Sequence, residues 1–351
     1  MDISDKIKHF AHLGNWINNW LAEYVINSYS NQENSDFASM IARQHSLNNW
    51  LNETDIIMLL SHYGKLLSEN SLEHWLKEYS NSPMDGPAIP VYVKPNTNSC
   101  FAGFAEWLCC IAANNRILIK AENNQFQILR FLSKKLVSQS SYFNSLIEIN
   151  ESPTGKPGGY IVHVDKENIT SQHYFKKHES LLIETLPSIA LITGNESKEE
   201  LNQLGTDIFL NLGQSSRTLR KLYVPAGYDF NPFFEAIESF SYVYQNNKYA
   251  NNYDYYQSIF LMDRIPFLDN GFLVVKQDAS LLVPTGCLYY EFYENLEEQI
   301  VKIKTLNNIE NVICKDLLPN KTVKPGKSHF PNLKEYENRK DLLEFNIRLK
   351  I

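Results

Sequence analysis

The chain has 351 residues, of which 43% are hydrophobic and 21% charged, with a formal charge of −7 and a pI near 5.8. That balance predicts an ordinary soluble protein of two or three domains and excludes collagen-like, coiled-coil and wholly disordered chains. An acidic balance also excludes a global basic field for nucleic acid.

Residues 1–80 read as helical. Trp16, Trp20 and Tyr24, and later Ile56, Leu59, Leu60, Tyr63, Leu66 and Leu67, recur at three- and four-residue spacings, the mark of helices with one apolar face. Thr54 or Asp55 is the expected cap of the helix that starts near Ile56. The Pro/Gly cluster NSPMDGPAIP (81–90) then marks a boundary. Beyond it, short β-rich runs alternate with helical stretches. The strands are VYV (91–93), ILIK (117–120), SLIEI (145–149), YIVHV (160–164), SIALI (188–192), KLYV (221–224) and FLVVK (272–276). The helices are 104–113, 124–139, 197–212 and 230–244. This alternation predicts an α/β fold with largely parallel sheets, and the run is long enough for two of them. The stretch 239–276 interleaves tyrosine and asparagine. It has too few basic residues for a base-stacking groove and reads as a tyrosine-rich connection packed on the second sheet.

Several chemistries lack their motifs. There is no Gly-x-Gly-x-x-Gly fingerprint, no Walker A loop, no metal-spaced His/Cys cluster and no Gly-x-Ser-x-Gly elbow. His163, His173 and His178 are close in sequence but not at ligand spacing. The longest apolar run, 107–113, falls far short of the ~20 residues of a membrane helix. The opening MDISDKIKHF has no secretory pattern. Cys100, Cys109, Cys110, Cys287 and Cys314 form an odd, sparse set that fits a reducing cytoplasm.

Two stretches carry candidate chemistry. In GQSSRTLRKLYVPAGYDF (213–230) a small-residue turn leads into basic residues and a strand stopped by Pro225. A hydroxyl on such a turn can act as a nucleophile, and a polar loop feeding a strand is the alternative. In 91–124 a strand runs into a loop with Asn98, and the next strand ends at Lys120. An amide at a strand's C-terminal end can donate to an oxyanion, and a lysine there can meet a phosphate or ribose.

Taken in order, these stretches resemble the LuxC-type acyl-CoA reductases, members of the aldehyde dehydrogenase-like superfamily. The resemblance runs from about Trp75 to Phe345. It is closest in GTDIFLNLGQSSRTLRKLYVPAGYDFNPFFEA (205–236) and NNKYANNYDYYQSIFLMDRIPFLDNGFLVVK (246–276), and it closes in PGKSHFPNLKEYENRKDLLEF (325–345). It implies two α/β domains with a cleft between them, preceded by N-terminal helices. The expected spans are 1–187 for the helices and cofactor-type domain, 188–324 for the catalytic-type domain, and 325–351 for a segment returning to the first. It also implies a chemistry in which a cysteine thiolate attacks an acyl thioester, coenzyme A leaves, and NADPH delivers hydride to release an aldehyde.

Carried over residue by residue, the resemblance puts the oxyanion asparagine on Asn98, the cofactor lysine on Lys120 and a ribose-holding position on Asn123. The nucleophile falls on Ser216 where the family has cysteine, and Arg217 fits the arginine that follows it. Glu184 is the nearest candidate for a general base. The family's Thr-Gly-Ser loop reads Asp165-Lys166-Glu167-Asn168 here, which implies weakened NADP binding, because side chains and negative charge replace a close-approach glycine. The expected substrate is an acyl-CoA or acyl carrier, in a cytoplasmic protein that pairs with a partner enzyme or with its own copies. The alternative is a protein that keeps the fold, has lost the chemistry, and binds an acyl carrier or partner enzyme.

Overall fold

The computed structural model describes the chain except for residues 81, 83, 85, 97–98, 165–172 and 316–321. The chain divides into two compact units. Unit 1 comprises Met1–Leu47, Asn52–Thr185 and Pro331–Ile351, and unit 2 comprises Asn48–Leu51 and Leu186–Phe330. Among the described residues no helix is long and apolar enough to cross a membrane.

Unit 1 opens with helix α1 (Ile3–Val25), capped by Asp2, whose Oδ1 accepts the Asp5 N–H at 2.8 Å. Its Phe10, Leu13, Ile17 and Trp20 are buried along one face. Helices α2 (Gln32–Ala42), α3 (Gln44–Leu47), α4 (Glu53–Leu66) and α5 (Glu69–Leu76) follow. The cap of α4 is Asn52, ahead of the expected Thr54 or Asp55. Asn52 Oδ1 accepts the Asp55 N–H at 2.9 Å and Nδ2 donates to the Asp55 carboxylate at 2.6 Å. An aspartate at this cap could not do both, because an ionised carboxylate has no donor.

The sheet of unit 1 contains β1 (Pro90–Lys94), β2 (Arg116–Lys120), β3 (Ile147–Asn150), β4 (Gly159–Val164) and β5 (Ser180–Glu184). Its order is β3-β2-β1-β4-β5 and every pair is parallel. Helix α6 (Phe104–Ala112) links β1 to β2, and α7 (Gln127–Gln139) links β2 to β3. β2 reads as a continuous apolar run because helices cover the sheet. The chain builds outward from β1 to β3, then crosses back to lay β4 on the other flank of β1. That reversal is the kind of switch point at which α/β sheets take ligands, beyond the C-terminal ends of the strands. Lys120 ends β2 at that edge. Helix α12 (Leu342–Arg348), from the last segment, packs on α6.

Unit 2 contains β6 (Ser188–Leu191), helix α8 (Lys198–Phe209), β7 (Leu219–Pro225), α9 (Asn231–Ile237), α10 (Asn247–Met262), β8 (Leu268–Asp269), β9 (Val274–Gln277), β10 (Cys287–Tyr293), α11 (Leu296–Thr305), β11 (Val312–Ile313) and β12 (Thr322–Val323). The sheet order is β12-β11-β6-β7-β10-β9-β8, parallel except for the β8–β9 edge. Two cores sandwich it. Leu222, Val224 and Leu288 face a large cluster with Phe209, Phe233, Tyr249 and Phe260. Ile189, Leu191, Tyr223 and Tyr293 face a smaller one with Ile303 and Val312. Burying each such side chain contributes about 1.5–3 kcal/mol.

Part of the predicted tyrosine-rich connection is helix. α10 turns Tyr249, Tyr253 and Phe260 inward. Their hydroxyls are placed, with Tyr249 OH donating to Phe272 O at 2.9 Å and Tyr253 OH to Asp269 at 2.7 Å. The close fit of this helix rests on Gly286, which has φ +82° and whose missing Cβ would lie 2.9 Å from Tyr253 Cα and Cβ. Both the left-handed backbone and the contact with main chain forbid a side chain here. Gly286→Ala is therefore expected to lower unfolding free energy by about 2–4 kcal/mol in denaturant titration. A variant within 0.5 kcal/mol (roughly the spread of neutral surface changes) would refute that packing.

Candidate active site

Ser216 sits on the short connection between α8 and β7. The expected helix over 197–212 ends sooner, at Phe209, and the chain then turns left-handed. Asn211, Leu212 and Gly213 have φ of +53°, +50° and +69°. Asparagine and glycine accept this region readily, whereas for leucine it costs roughly 1–2 kcal/mol. Such strain persists where the surroundings over-determine the backbone, and it clusters at functional sites. Here Arg220 donates to the Gly213 carbonyl, and Gln214 Nε2 donates to Thr285 Oγ1 at 2.5 Å. The turn delivers Ser216, 6% exposed, to the start of β7.

Charged side chains are packed beneath the same end of the sheet. Arg217 is buried, with its guanidinium 3.5 Å from the buried Glu310 carboxylate. Ser188 Oγ donates to the Arg217 carbonyl at 3.0 Å. Burial lowers the Arg220 pKa to about 10, which leaves it charged at neutral pH. Asp207 of α8 accepts the Gly326 and Ser328 N–H groups at 2.6 and 2.9 Å, and burial raises its pKa to about 6. His329 Nε2 donates to the Asp207 carbonyl at 3.1 Å, and burial holds its pKa down to about 4. The sequence reading named Ser216 and Arg217 as candidates and gave no sign of these supports. The signal for the turn was present, since Asn211 and Gly213 are the two residue types that tolerate positive φ. Nothing in sequence links Asp207 to residues over a hundred positions away.

In unit 1, Lys120 is exposed at the end of β2, and Asn123 is exposed beyond it, its carbonyl accepting from Gln127 Nε2. Glu184 is the last residue of β5. Asn98 and the 165–168 loop lie outside the described residues. His163, weighed only as a metal ligand in the sequence, is instead a largely buried ion-pair partner. Its Nε2 lies 2.6 Å from Glu106 Oε1 on α6, and its Nδ1 lies 3.7 Å from Glu337 Oε2. Among the described residues no cluster has the make-up of a metal site, and all five cysteines are buried.

No family model matches the sequence, and no curated protein matches it. Solved structures do. Aldehyde dehydrogenase 21 of Physcomitrella patens, in complex with the product succinate, matches with a TM-score of 0.66 and 11% identity, covering 100% of this chain and 85% of that one. An acetylating aldehyde dehydrogenase of Geobacillus thermoglucosidasius matches at 0.58 and 10% identity, covering 96% and 84%. The indole-3-acetaldehyde dehydrogenase of P. syringae, in complex with NAD+, matches at 0.60 and 9% identity, covering 92% and 74%. The chain has the aldehyde dehydrogenase-like fold. Identity this low speaks for the fold alone.

Proposed function

We propose that the chain handles acyl thioesters in the manner of an acyl-CoA reductase, with Ser216 taking the acyl group. The observation that carries this reading is the left-handed turn over Asn211–Gly213, which stores backbone strain three residues before the position that the resemblance gives to the nucleophile. A loop with no task would relax into an ordinary turn. In this reading Arg217 steadies the loop; the resemblance gives Asn98 the oxyanion-donor role and leaves Glu184 as the candidate base. The residues of unit 1 suit a dinucleotide. Lys120 ends β2, and Asn123 is exposed three positions further along the chain. Helix α6 starts after Gly103, φ +83°, with no side-chain cap. An NADP cofactor bound there would supply hydride, with Lys120 and Asn123 holding its ribose or phosphate.

The test is covalent. The protein is incubated with a long-chain acyl-CoA and weighed intact by mass spectrometry. The parent is expected to gain one acyl group, and Ser216→Ala to gain none. An unmodified parent that still binds acyl-CoA would favour the alternative, a binding protein on the same fold. An adduct of equal yield on Ser216→Ala would displace the nucleophile from this position.

A further inference from the structure

The last turn of α8 is tied to the segment that follows β12, and both ties are made at Asp207. Its carboxylate accepts the Gly326 N–H at 2.6 Å and the Ser328 N–H at 2.9 Å, one on each oxygen. In return, His329 Nε2 donates to the Asp207 carbonyl at 3.1 Å. Carbonyls in the last turn of a helix are the ones that need partners from outside it. The segment lies close against α8, since a Cβ on Gly326 would fall 3.1 Å from Gln203 Cβ, four positions before Asp207. Backbone bonds from Lys327 to Lys324 and from Phe330 to Lys327 set its course. Asp207, Ser328 and His329 are all buried, and the whole clip belongs to unit 2.

The clip reaches the turn through the next residue. A Cβ on Gly213 would stand 3.1 Å from the Ile208 carbonyl, so the left-handed turn folds back onto the clipped end of the helix. Ser216 follows three residues later. Taking a carboxylate out of water is costly. At Asp207 that cost outweighs the N–H bonds gained and holds the carboxyl up at about 6. The charged groups facing the clip are Lys327 on the segment itself, Arg217 and Arg220 at the start of β7, and Glu310 beside Arg217. Arg217 and Arg220 add to the burial that keeps His329 neutral.

We infer that Asp207 is a positioning residue for Ser216, its carboxylate holding the end of α8 on the Gly326–His329 segment so that the turn sets the serine hydroxyl for acyl transfer; this rests on the reading proposed above. In that step the Ser216 oxygen bonds to the acyl carbon, the carbon–sulfur bond to coenzyme A breaks, and the hydroxyl proton ends on the departing thiol. Protonation of Asp207 takes one of its two oxygens out of use as an acceptor. A raised carboxyl binds its proton more tightly in the folded chain, so the stability it contributes grows as pH falls from about 6 towards 3.8. That gain opposes the loss from His329 over the same range. Mild acid is therefore expected to remove one bond of the clip from a chain that stays folded.

Two measurements on the full chain test it. Amide hydrogen exchange at Gly326 and Ser328 reads the clip. Formation of acyl-enzyme from a long-chain acyl-CoA, followed by intact mass, reads the chemistry. Asp207→Asn keeps one acceptor and turns a donor towards the other N–H. It is expected to speed exchange at these amides at least tenfold and to cut the saturated acylation rate at neutral pH by about 10–100-fold (the usual span for misplacing a reacting group), with half-saturation unchanged. Asp207→Glu keeps both acceptors and should lose less. Between neutral pH and about pH 5 the parent rate should fall roughly tenfold relative to that of Asp207→Asn, because a carboxyl one unit below its pKa is about nine-tenths protonated. Unchanged exchange in Asp207→Asn would overturn the clip. Faster exchange with an unchanged rate, or with the same pH profile as the parent, would reduce Asp207 to holding the fold and overturn the inference. The parent profile needs no variant to fold, and a rate flat down to about pH 5 would overturn the inference by itself. A parent that takes up no acyl group would bring down the acyl-transfer reading, and with it the role of Asp207, while faster exchange in the variant would leave the clip standing.

Discussion

Ser216→Cys is expected to speed acyl-enzyme formation by on the order of 10²-fold or more. A thiol with a pKa near ~8.5 is a few per cent thiolate at neutral pH, whereas a serine hydroxyl ionises negligibly without a base beside it. Once formed, the two acyl-enzymes also differ. An oxygen ester is stabilised by resonance that a thioester lacks, so the thioester is the better hydride acceptor. With acyl-CoA and NADPH present, the variant should therefore oxidise NADPH measurably faster than the parent, followed by its absorbance. The supports of the turn, Arg220 on Gly213 and Gln214 on Thr285, do not involve the Ser216 side chain, so the substitution leaves them in place. A well-folded cysteine variant that forms acyl-enzyme no faster than the parent would mean that Ser216 does not occupy the nucleophile's position.

The second large effect lies at His163. Burial alone would lower its pKa, but the hydrogen bond and charge of Glu106, with Glu337 adding to them, raise it instead. Burial alone would raise the Glu106 pKa, and the bond from His163 lowers it. The groups facing this pair are Glu337 from the last segment and the thiols of Cys109 and Cys110 on α6 itself. The signs then follow. A raised histidine contributes stability fully present below its ordinary 6.5 and lost as pH rises through its folded value. A lowered glutamate contributes stability present above its ordinary 4.5 and lost as pH falls through its folded value. The pair should therefore stabilise most between pH 4.5 and 6.5. His329 works against this in the same window, because a buried neutral histidine with a pKa of about 4 loses stability as pH falls below 6.5. The contribution of His163 is thus read from a difference. His163→Gln should cost about 3 kcal/mol relative to the parent near pH 5.5, since removing one partner strands a buried charge. The cost should shrink towards pH 9, where the parent has lost its imidazolium as well. A cost that is flat with pH in denaturant titrations would show that His163 is neutral throughout.

The sequence reading was clearest where periodicity is strict. The runs ILIK, YIVHV and KLYV became β2, β4 and β7, because strands buried on both faces must be apolar along their length. β10 escaped, although it is central to its sheet. Its CLYYEFY mixes tyrosine and glutamate, and only its burial between β7 and β9 makes it a strand. Helix α10 escaped for a similar reason. Asparagine and tyrosine are poor helix formers, yet Tyr249, Tyr253, Tyr256 and Phe260 fall at intervals of four, three and four. That helical stripe was legible beneath the composition. At the site, residue types showed the turn at Ser216 and the strand-end lysine. They could not show Asp207 receiving the Gly326–Ser328 backbone, His163 between two glutamates, or Asn338 on Glu184. Each of these joins residues far apart in sequence, and a single chain read in order carries no record of such pairings.

Unit 1 is interrupted. Its helices and sheet are laid down first, unit 2 follows, and only then come the residues that supply Tyr336 to Trp75 Nε1 at 2.8 Å, Asn346 to the buried Asn115 amide at 2.8 Å, and Asn338 to β5. Synthesis runs from the N-terminus, so on the ribosome unit 2 has its whole sequence before unit 1 does. The first unit must wait, with the outer face of α6 and the edge of β5 uncovered, while the second one folds. A nascent chain of this kind exposes its most adhesive surfaces for the time it takes to translate Leu186–Phe330. Chaperones that bind exposed apolar surface on nascent chains would find their work there, on the half of the protein that was made first.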